Sequence, residues 1–128
     1  MRDKTILLVE DDPSHVRLMM LNLERAGADY PFVIVEDGQE ALDYLYGRTG
    51  SVLPDLIMFD LGLPEVDGLQ LLEHLAGNTI LNAIPRIIVT TSDEQDDQER
   101  CAQFGYDAYF TKPPDYKELA HVIAHILH

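Results

Sequence analysis

Ile6-Leu7-Leu8-Val9-Glu10-Asp11-Asp12-Pro13 decides how the rest of the chain is read. Its first four residues are an uninterrupted apolar run, as a strand buried on both faces of a sheet requires. Asp12-Pro13 follows as an N-cap acid with proline at the first helical position. A buried strand that turns directly into a helix predicts a parallel α/β unit. Glu10 and Asp11 then stand at the carboxyl edge of its sheet, where ligands of such sheets bind.

The same alternation continues along the chain. The first strand is predicted over Thr5 to Val9. Val16, Met20 and Leu23 give the next helix an apolar stripe, and Gly27 suits its end. Phe32 to Val35 is a second strand, and Asp37 to Tyr46 a helix with Ala41, Leu42 and Leu45 inward. Gly47 to Pro54 is a loop by its turn residues. Asp55 to Phe59 is a third strand, Gly68 to Leu75 a helix, and Arg86 to Thr91 a fourth strand. Ser92 with Gln95 three residues on predicts a capping box for a helix ending near Phe104-Gly105. Ala108 to Thr111 is a fifth strand. Asp115 with Glu118 predicts a second capping box, before a helix that buries Leu119, Val122, Ile123 and Ile126. The sum is a doubly wound (βα)5 α/β domain spanning 1–128, with a parallel sheet and helices on both faces. Right-handed crossovers favour the strand order 2-1-3-4-5 of flavodoxin-like folds.

Size and charge narrow the function classes. The 128 residues suit one core, and 46% apolar residues is ordinary for a globular protein. The formal charge is −14, from 23 acids against 9 Lys plus Arg. That field repels phosphate backbones, so nucleic acid is not expected as a partner, whereas divalent cations and basic protein surfaces are attracted. No apolar stretch approaches the roughly 18 residues of a membrane span, so no membrane association is expected. The start Met1-Arg2-Asp3-Lys4 leads into a strand without a signal peptide, which predicts a cytoplasmic protein. The single cysteine, Cys101, excludes an intrachain disulfide and is expected inside a core-packed helix without a reactive role.

Strands 1, 3, 4 and 5 are adjacent in that order, and each ends in a polar residue: Glu10-Asp11, Asp60, Thr90 and Lys112. Carboxylates gathered in an apolar frame need a proton or a cation. Mg²⁺ suits oxygen ligands and keeps several waters, which leaves room for a phosphoryl oxygen. Asp60 is placed as a carboxylate nucleophile that would form an aspartyl phosphate. Lys112 would meet the phosphoryl oxygens as a point charge, with the Thr90 hydroxyl as a hydrogen-bond donor.

At these residues the chain resembles the response-regulator receiver domains, which are CheY-like folds. The resemblance spans essentially the whole length. It rests on Val9-Glu10-Asp11-Asp12, on Asp60-Leu61-Gly62-Leu63-Pro64 with Asp67-Gly68, on Val89-Thr90-Thr91-Ser92, and on Thr111-Lys112-Pro113. It implies that Asp60 is the phosphoacceptor and that Lys112 and Thr90 bind the phosphoryl group. It implies a Mg²⁺ or Mn²⁺ site made by Glu10, Asp11, Asp60 and the Gly62 backbone carbonyl, with Glu10 acting through water. Gly62 and Ser92 fall on positions that tune autodephosphorylation. Thr90 and Tyr109 fall on the switch pair, and Lys112-Pro113 on a cis peptide. The implied partner is a sensor histidine kinase. Such a chain is not an enzyme on external substrates; it catalyses its own phosphorylation and dephosphorylation in a phosphorelay.

The chain ends with its fifth helix, so output is expected through a downstream protein or phosphotransfer domain. The Gly47–Pro54 loop and Val89-Thr90-Thr91-Ser92 resemble the single-domain receivers that pair with phytochrome kinases. Receivers of that kind often form homodimers, in some cases through the face made by the fourth helix, fifth strand and fifth helix. Competing readings remain. An aspartyl-phosphate phosphatase of the haloacid-dehalogenase type needs an acid where Gly62 stands. A flavin-binding module needs small amide donors where Glu10-Asp11-Asp12 stands. A phosphorylation-independent docking module keeps the fold without the chemistry. His121, His125 and His128 share one face of the last helix and are read as a solvated face; His15 and His74 receive no role.

Overall fold

The computed structural model describes residues 4–47 and 52–128. Strands β1 (Ile6–Val9), β2 (Phe32–Val35), β3 (Leu56–Phe59), β4 (Arg86–Thr90) and β5 (Ala108–Thr111) form one parallel sheet in the order β2-β1-β3-β4-β5. The predicted order is therefore the observed one. Helices α1 (Pro13–Arg25), α2 (Gly38–Leu45), α3 (Gly68–Ala76), α4 (Gln95–Phe104) and α5 (Tyr116–Leu127) alternate with the strands. A short 3₁₀ turn, Leu81–Ala83, precedes β4. Residues 48–51 of the predicted Gly47–Pro54 loop lie outside the described residues.

Side chains alternate across the sheet, so the core has two layers. Leu7, Val9, Ile57, Phe59 and Ile88 face α2, α3 and α4. Ile6, Leu8, Met58, Ile87 and Val89 face α1 and α5. β1, β3 and β4 are buried along their whole length, which is why their sequences are apolar runs without alternation. β1 and β3 each begin one residue later than expected, because Thr5 and Asp55 bond across the strand starts instead. Thr5 N–H donates to Asp55 Oδ2 at 2.8 Å, and Asp55 N–H donates to Thr5 O at 2.9 Å. β4 ends one residue early, at Thr90.

Helix starts follow their caps, with one exception. Asp12, Asp37 and Asp115 each accept a backbone N–H of the first turn, and Asp67 forms a full capping box with Gln70. The expected Ser92–Gln95 box does not form. α4 starts two residues later, with Glu94 at the cap position and no side-chain cap bond, while the Ser92 hydroxyl turns to Asp97. The α1 stripe is also corrected: Met19 is 6% exposed and Met20 38%. With 100° between neighbours, Val16, Met19 and Leu23 share the inner face and Met20 falls outside it. In α5, Leu119 and Ile123 are buried as expected, together with Ala120 and Leu127, whereas Val122 and Ile126 are only partly buried.

Candidate phosphoacceptor site

Each strand that reaches the carboxyl edge delivers one residue of the site. Glu10 follows β1, Asp60 follows β3, Thr90 ends β4 and Lys112 follows β5. Glu10 is 6% exposed and Thr90 2%. Such burial of polar groups needs partners. Thr90 Oγ1 accepts the Ser92 N–H at 3.4 Å. Lys112 Nζ donates to Glu10 Oε1, and to Asp60 Oδ2 at 2.8 Å. The second Asp60 oxygen, Oδ1, accepts the Gly62 N–H at 3.1 Å. Glu10 Oε2 accepts the Asp12 N–H at 3.3 Å.

These contacts set the ionisation of the site. Burial pushes the Asp60 carboxyl up, yet hydrogen bonds from Lys112, Thr90 and Gly62 outweigh it and hold Asp60 below its ordinary 3.8. Burial likewise pulls Lys112 down, but Asp60 and Glu10 raise it above 10.5. At neutral pH the site therefore holds an ionised carboxylate against an ammonium. Glycine lets the next helix close on it: a Cβ at Gly68 would stand 2.5 Å from the Asp60 carbonyl oxygen, so α3 begins against the Asp60 backbone.

Asp11 is not drawn into this cluster. It is exposed and lines, with Glu10, a groove between α1 and β2. Among the described residues no three His, Cys, Asp or Glu side chains close on one point. The donors that face the site are carboxylate and carbonyl oxygens, without sulfur. Oxygen donors that leave positions for water fit a hard divalent cation such as Mg²⁺ or Mn²⁺.

Tyr109 is half-buried, and its hydroxyl donates to the Ser92 carbonyl at 2.8 Å. Burial raises its pKa. Tyr109 is thus bound to the loop that follows Thr90. The Lys112–Pro113 peptide is cis, as the resemblance implies. Cys101 is buried and its thiol is pushed up to about 11 by burial and by Asp97, which removes it as a nucleophile. His121, His125 and His128 are exposed. His15, which was given no role, does touch the site: its Nδ1 lies 3.2 Å from Lys112 Nζ and 3.5 Å from Glu10 Oε1. The signal was in the sequence, because a first-turn side chain three residues past the N-cap points back toward the helix start.

Residues 6–124 match the response regulator receiver domain family. The chain belongs to that family. Receiver domains are phosphoacceptors of two-component signalling, bind a divalent metal and interact with histidine kinases. This receiver is 37% identical over 123 residues to the probable methanogenesis regulatory protein FilR2 of Methanothrix harundinacea, covering 94% of this chain and 79% of that one. It is 34% identical over 119 residues to response regulator Rcp1 of Synechocystis, covering 91% and 81%. The crystal structure of the Mn²⁺-bound form of Rcp1 superposes with a TM-score of 0.81 at 33% identity, over 96% of this chain and 91% of that one. The phosphorylated cyanobacterial phytochrome response regulator RcpA superposes with a TM-score of 0.83 at 31% identity, over 98% and 91%. Among the described residues no helix of this receiver is long and apolar enough to cross a membrane.

Proposed function

We propose that the chain is a phosphorylation switch whose phosphoacceptor is Asp60. The observation that supports this most is the pairing of a buried-strand carboxylate with Lys112 on one oxygen and the Gly62 N–H on the other. An Asp60 oxygen attacks the phosphorus of a kinase phosphohistidine; the O–P bond forms as the P–N bond breaks, and the imidazole leaves with the electron pair. Lys112 moves a proton-bearing contact from Asp60 to a phosphoryl oxygen, and the Thr90 hydroxyl donates a second. Asp11, Asp60 and the Gly62 carbonyl would hold a Mg²⁺ or Mn²⁺ ion, with Glu10 acting through water, and that ion would neutralise the phosphoryl charge. Thr90 and Tyr109 carry the change outward, through the loop between β4 and α4.

Reversal belongs to the same chain. A Cβ at Gly62 would stand 4.0 Å from Asp60 Oδ1, so glycine leaves the acyl phosphate open to water, with Ser92 as the other residue that borders the approach. The whole 1–128 chain acts as one receiver domain. Its upstream partner is a phytochrome-type histidine kinase, a reading supported by the likeness to Rcp1 and RcpA. Its output passes to a downstream protein or phosphotransfer domain, or to a second copy through the α4–β5–α5 face. The cytoplasm is its setting, where a free thiol such as Cys101 is kept reduced.

Intact-protein mass after incubation with acetyl phosphate and Mg²⁺ tests the central claim. One labile phosphoryl group is expected on the wild type, and none on Asp60→Asn or in the presence of chelator. Stoichiometric labelling of Asp60→Asn would sink the assignment. A wild type that neither labels nor binds beryllofluoride would favour a phosphorylation-independent docking module.

A further inference from the structure

Every polar group of Ser92 is engaged, each with a different part of the switch. Its N–H donates to Thr90 Oγ1 at 3.4 Å, and its carbonyl accepts the Tyr109 hydroxyl at 2.8 Å. Its hydroxyl donates to Asp97 Oδ2 and accepts the Glu94 N–H at 3.4 Å. One residue therefore joins the hydroxyl that ends β4, the aromatic of β5 and the first turn of α4.

α4 has little else to fix its start. Its cap residue Glu94 makes no side-chain cap bond, and Cys101 is its one buried residue. Helices with few buried contacts lie at the low end of a protein's local stability. A hydroxyl-to-carboxylate bond is charge-assisted and stronger than a neutral one. The Ser92–Asp97 bond is thus the principal side-chain tie between the loop and the helix. Asp97 is half-buried, and it lines the same pocket, of about 430 Å³, as Asp60, Gly62 and Thr90.

We propose that Asp97 is a positioning residue that couples α4 to the phosphoacceptor site by holding the Ser92 hydroxyl. When Thr90 shifts toward a phosphoryl group, Ser92 shifts with it, and Asp97 obliges the first turn of α4 to follow. Without Asp97, Thr90 and Tyr109 stay joined through the Ser92 backbone, but α4 is released from both. The direction of this signal rests on the reading of Asp60 as phosphoacceptor; the clasp itself does not.

Hydrogen exchange of α4, followed by mass spectrometry on the full chain, separates the two. The variants are Asp97→Ala, Asp97→Asn, Ser92→Ala and the Ser92→Ala/Asp97→Ala double. In the protein without additions, each alanine variant is expected to speed exchange of the Gln98–Cys101 amides, the first that are hydrogen-bonded in α4, by at least about tenfold. The double variant should add nothing to Ser92→Ala, since that change already removes the Ser92–Asp97 bond along with the Glu94 N–H contact. Asp97→Asn keeps an oxygen acceptor of the same reach and should restore most of the protection. With saturating Mg²⁺ and beryllofluoride, α4 exchange in the wild type should change, and Asp97→Ala should lose that change while still saturating with beryllofluoride. Additive alanine effects, an Asp97→Asn indistinguishable from Asp97→Ala, or an Asp97→Ala that keeps the wild-type response would each overturn the proposal. A wild type that does not bind beryllofluoride would overturn the Asp60 reading instead, and the additivity test would still decide whether Asp97 acts through Ser92.

Discussion

Two cations, one buried and one half-buried, stand at opposite edges of the same sheet, and they are held in opposite ways. Lys112, just past β5, is gripped by two carboxylates, Glu10 and Asp60. Arg86, the first residue of β4, is 4% exposed and folds back onto the backbone. Its Nη2 donates to the carbonyls of Asn82 at 2.9 Å and Ile84 at 2.8 Å, and its Nη1 to Asn82 Oδ1 at 3.2 Å. Its own N–H donates to Asp107 Oδ2 at 2.8 Å. A guanidinium fork suits fixed acceptors, whereas an ammonium is a point charge that can trade one anion for another. The Arg86 contacts close the turn before β4 onto backbone carbonyls and the Asn82 side chain. The Lys112 contacts are of the kind that an incoming phosphoryl oxygen can replace. A charge that holds backbone maintains the fold; a charge that holds other charges is available for chemistry.

The sharpest break in this comparison is Lys112→Met. If the ammonium binds the phosphoryl group as proposed, its loss should lower the rate of acetyl-phosphate labelling by at least about a hundredfold. It also leaves Glu10 and Asp60 without their shared cation, at a cost of about 2–3 kcal/mol in urea unfolding at neutral pH. Near-normal labelling would show that Lys112 is structural after all.

Arg86→Leu should do the converse. It orphans the carbonyls of Asn82 and Ile84, and about 2–3 kcal/mol of stability should go with them. Labelling of the folded protein at low temperature should stay at the wild-type rate. A parallel loss of labelling and stability would mean that the two edges are coupled, and the division of roles would fail.

The Lys112–Asp60 pair also carries a pH signature. Asp60 titrates below its ordinary 3.8 in the fold, so its stabilising contribution is present above that value and is lost as pH falls through the lower folded one. Lys112 titrates above 10.5, so its contribution is complete below that value and is lost as pH rises past the folded one. The stability difference between wild type and Asp60→Asn, measured by urea unfolding with chelator, should be level across neutral pH and shrink at both extremes. A difference that peaks inside the neutral range would contradict the ion pair.

Most of the positive half of this contrast was legible in the sequence. Apolar runs ending in Glu10, Asp60, Thr90 and Lys112 placed four strand ends at one edge, because strand burial is written in composition and the crossover rule then orders the strands. What was missed depends on tertiary path. Arg86 read as an ordinary strand residue, since nothing local says that its side chain turns back to the Leu81–Ala83 turn. Ser92 with Gln95 has the spacing of a capping box, but the loop after β4 runs two residues longer and gives the hydroxyl to Asp97. Met19 and Met20 are adjacent and equally apolar, so only the packed structure tells which faces inward. Asp11 was placed in the crevice with its neighbours, and the structure leaves it at the exposed rim.

His15 gives the finest test of whether Lys112 is exchangeable. It supplies the third partner of the ammonium, at 3.2 Å, with its side chain 45% exposed. The two carboxylate contacts are charge-assisted and shorter, while an exposed contact to an imidazole contributes little. Under the exchange picture, the His15 contact is the weakest of the three and the one that an arriving phosphoryl oxygen displaces at least cost. His15→Ala should then leave the labelling rate within about threefold of wild type and, if anything, raise it. Glu10→Gln, which weakens a charged contact to the same Nζ, should change it by more. If His15→Ala slowed labelling as strongly as Glu10→Gln, the ammonium would depend on all three partners for its placement. Lys112 would then resemble Arg86, a cation fixed by its surroundings.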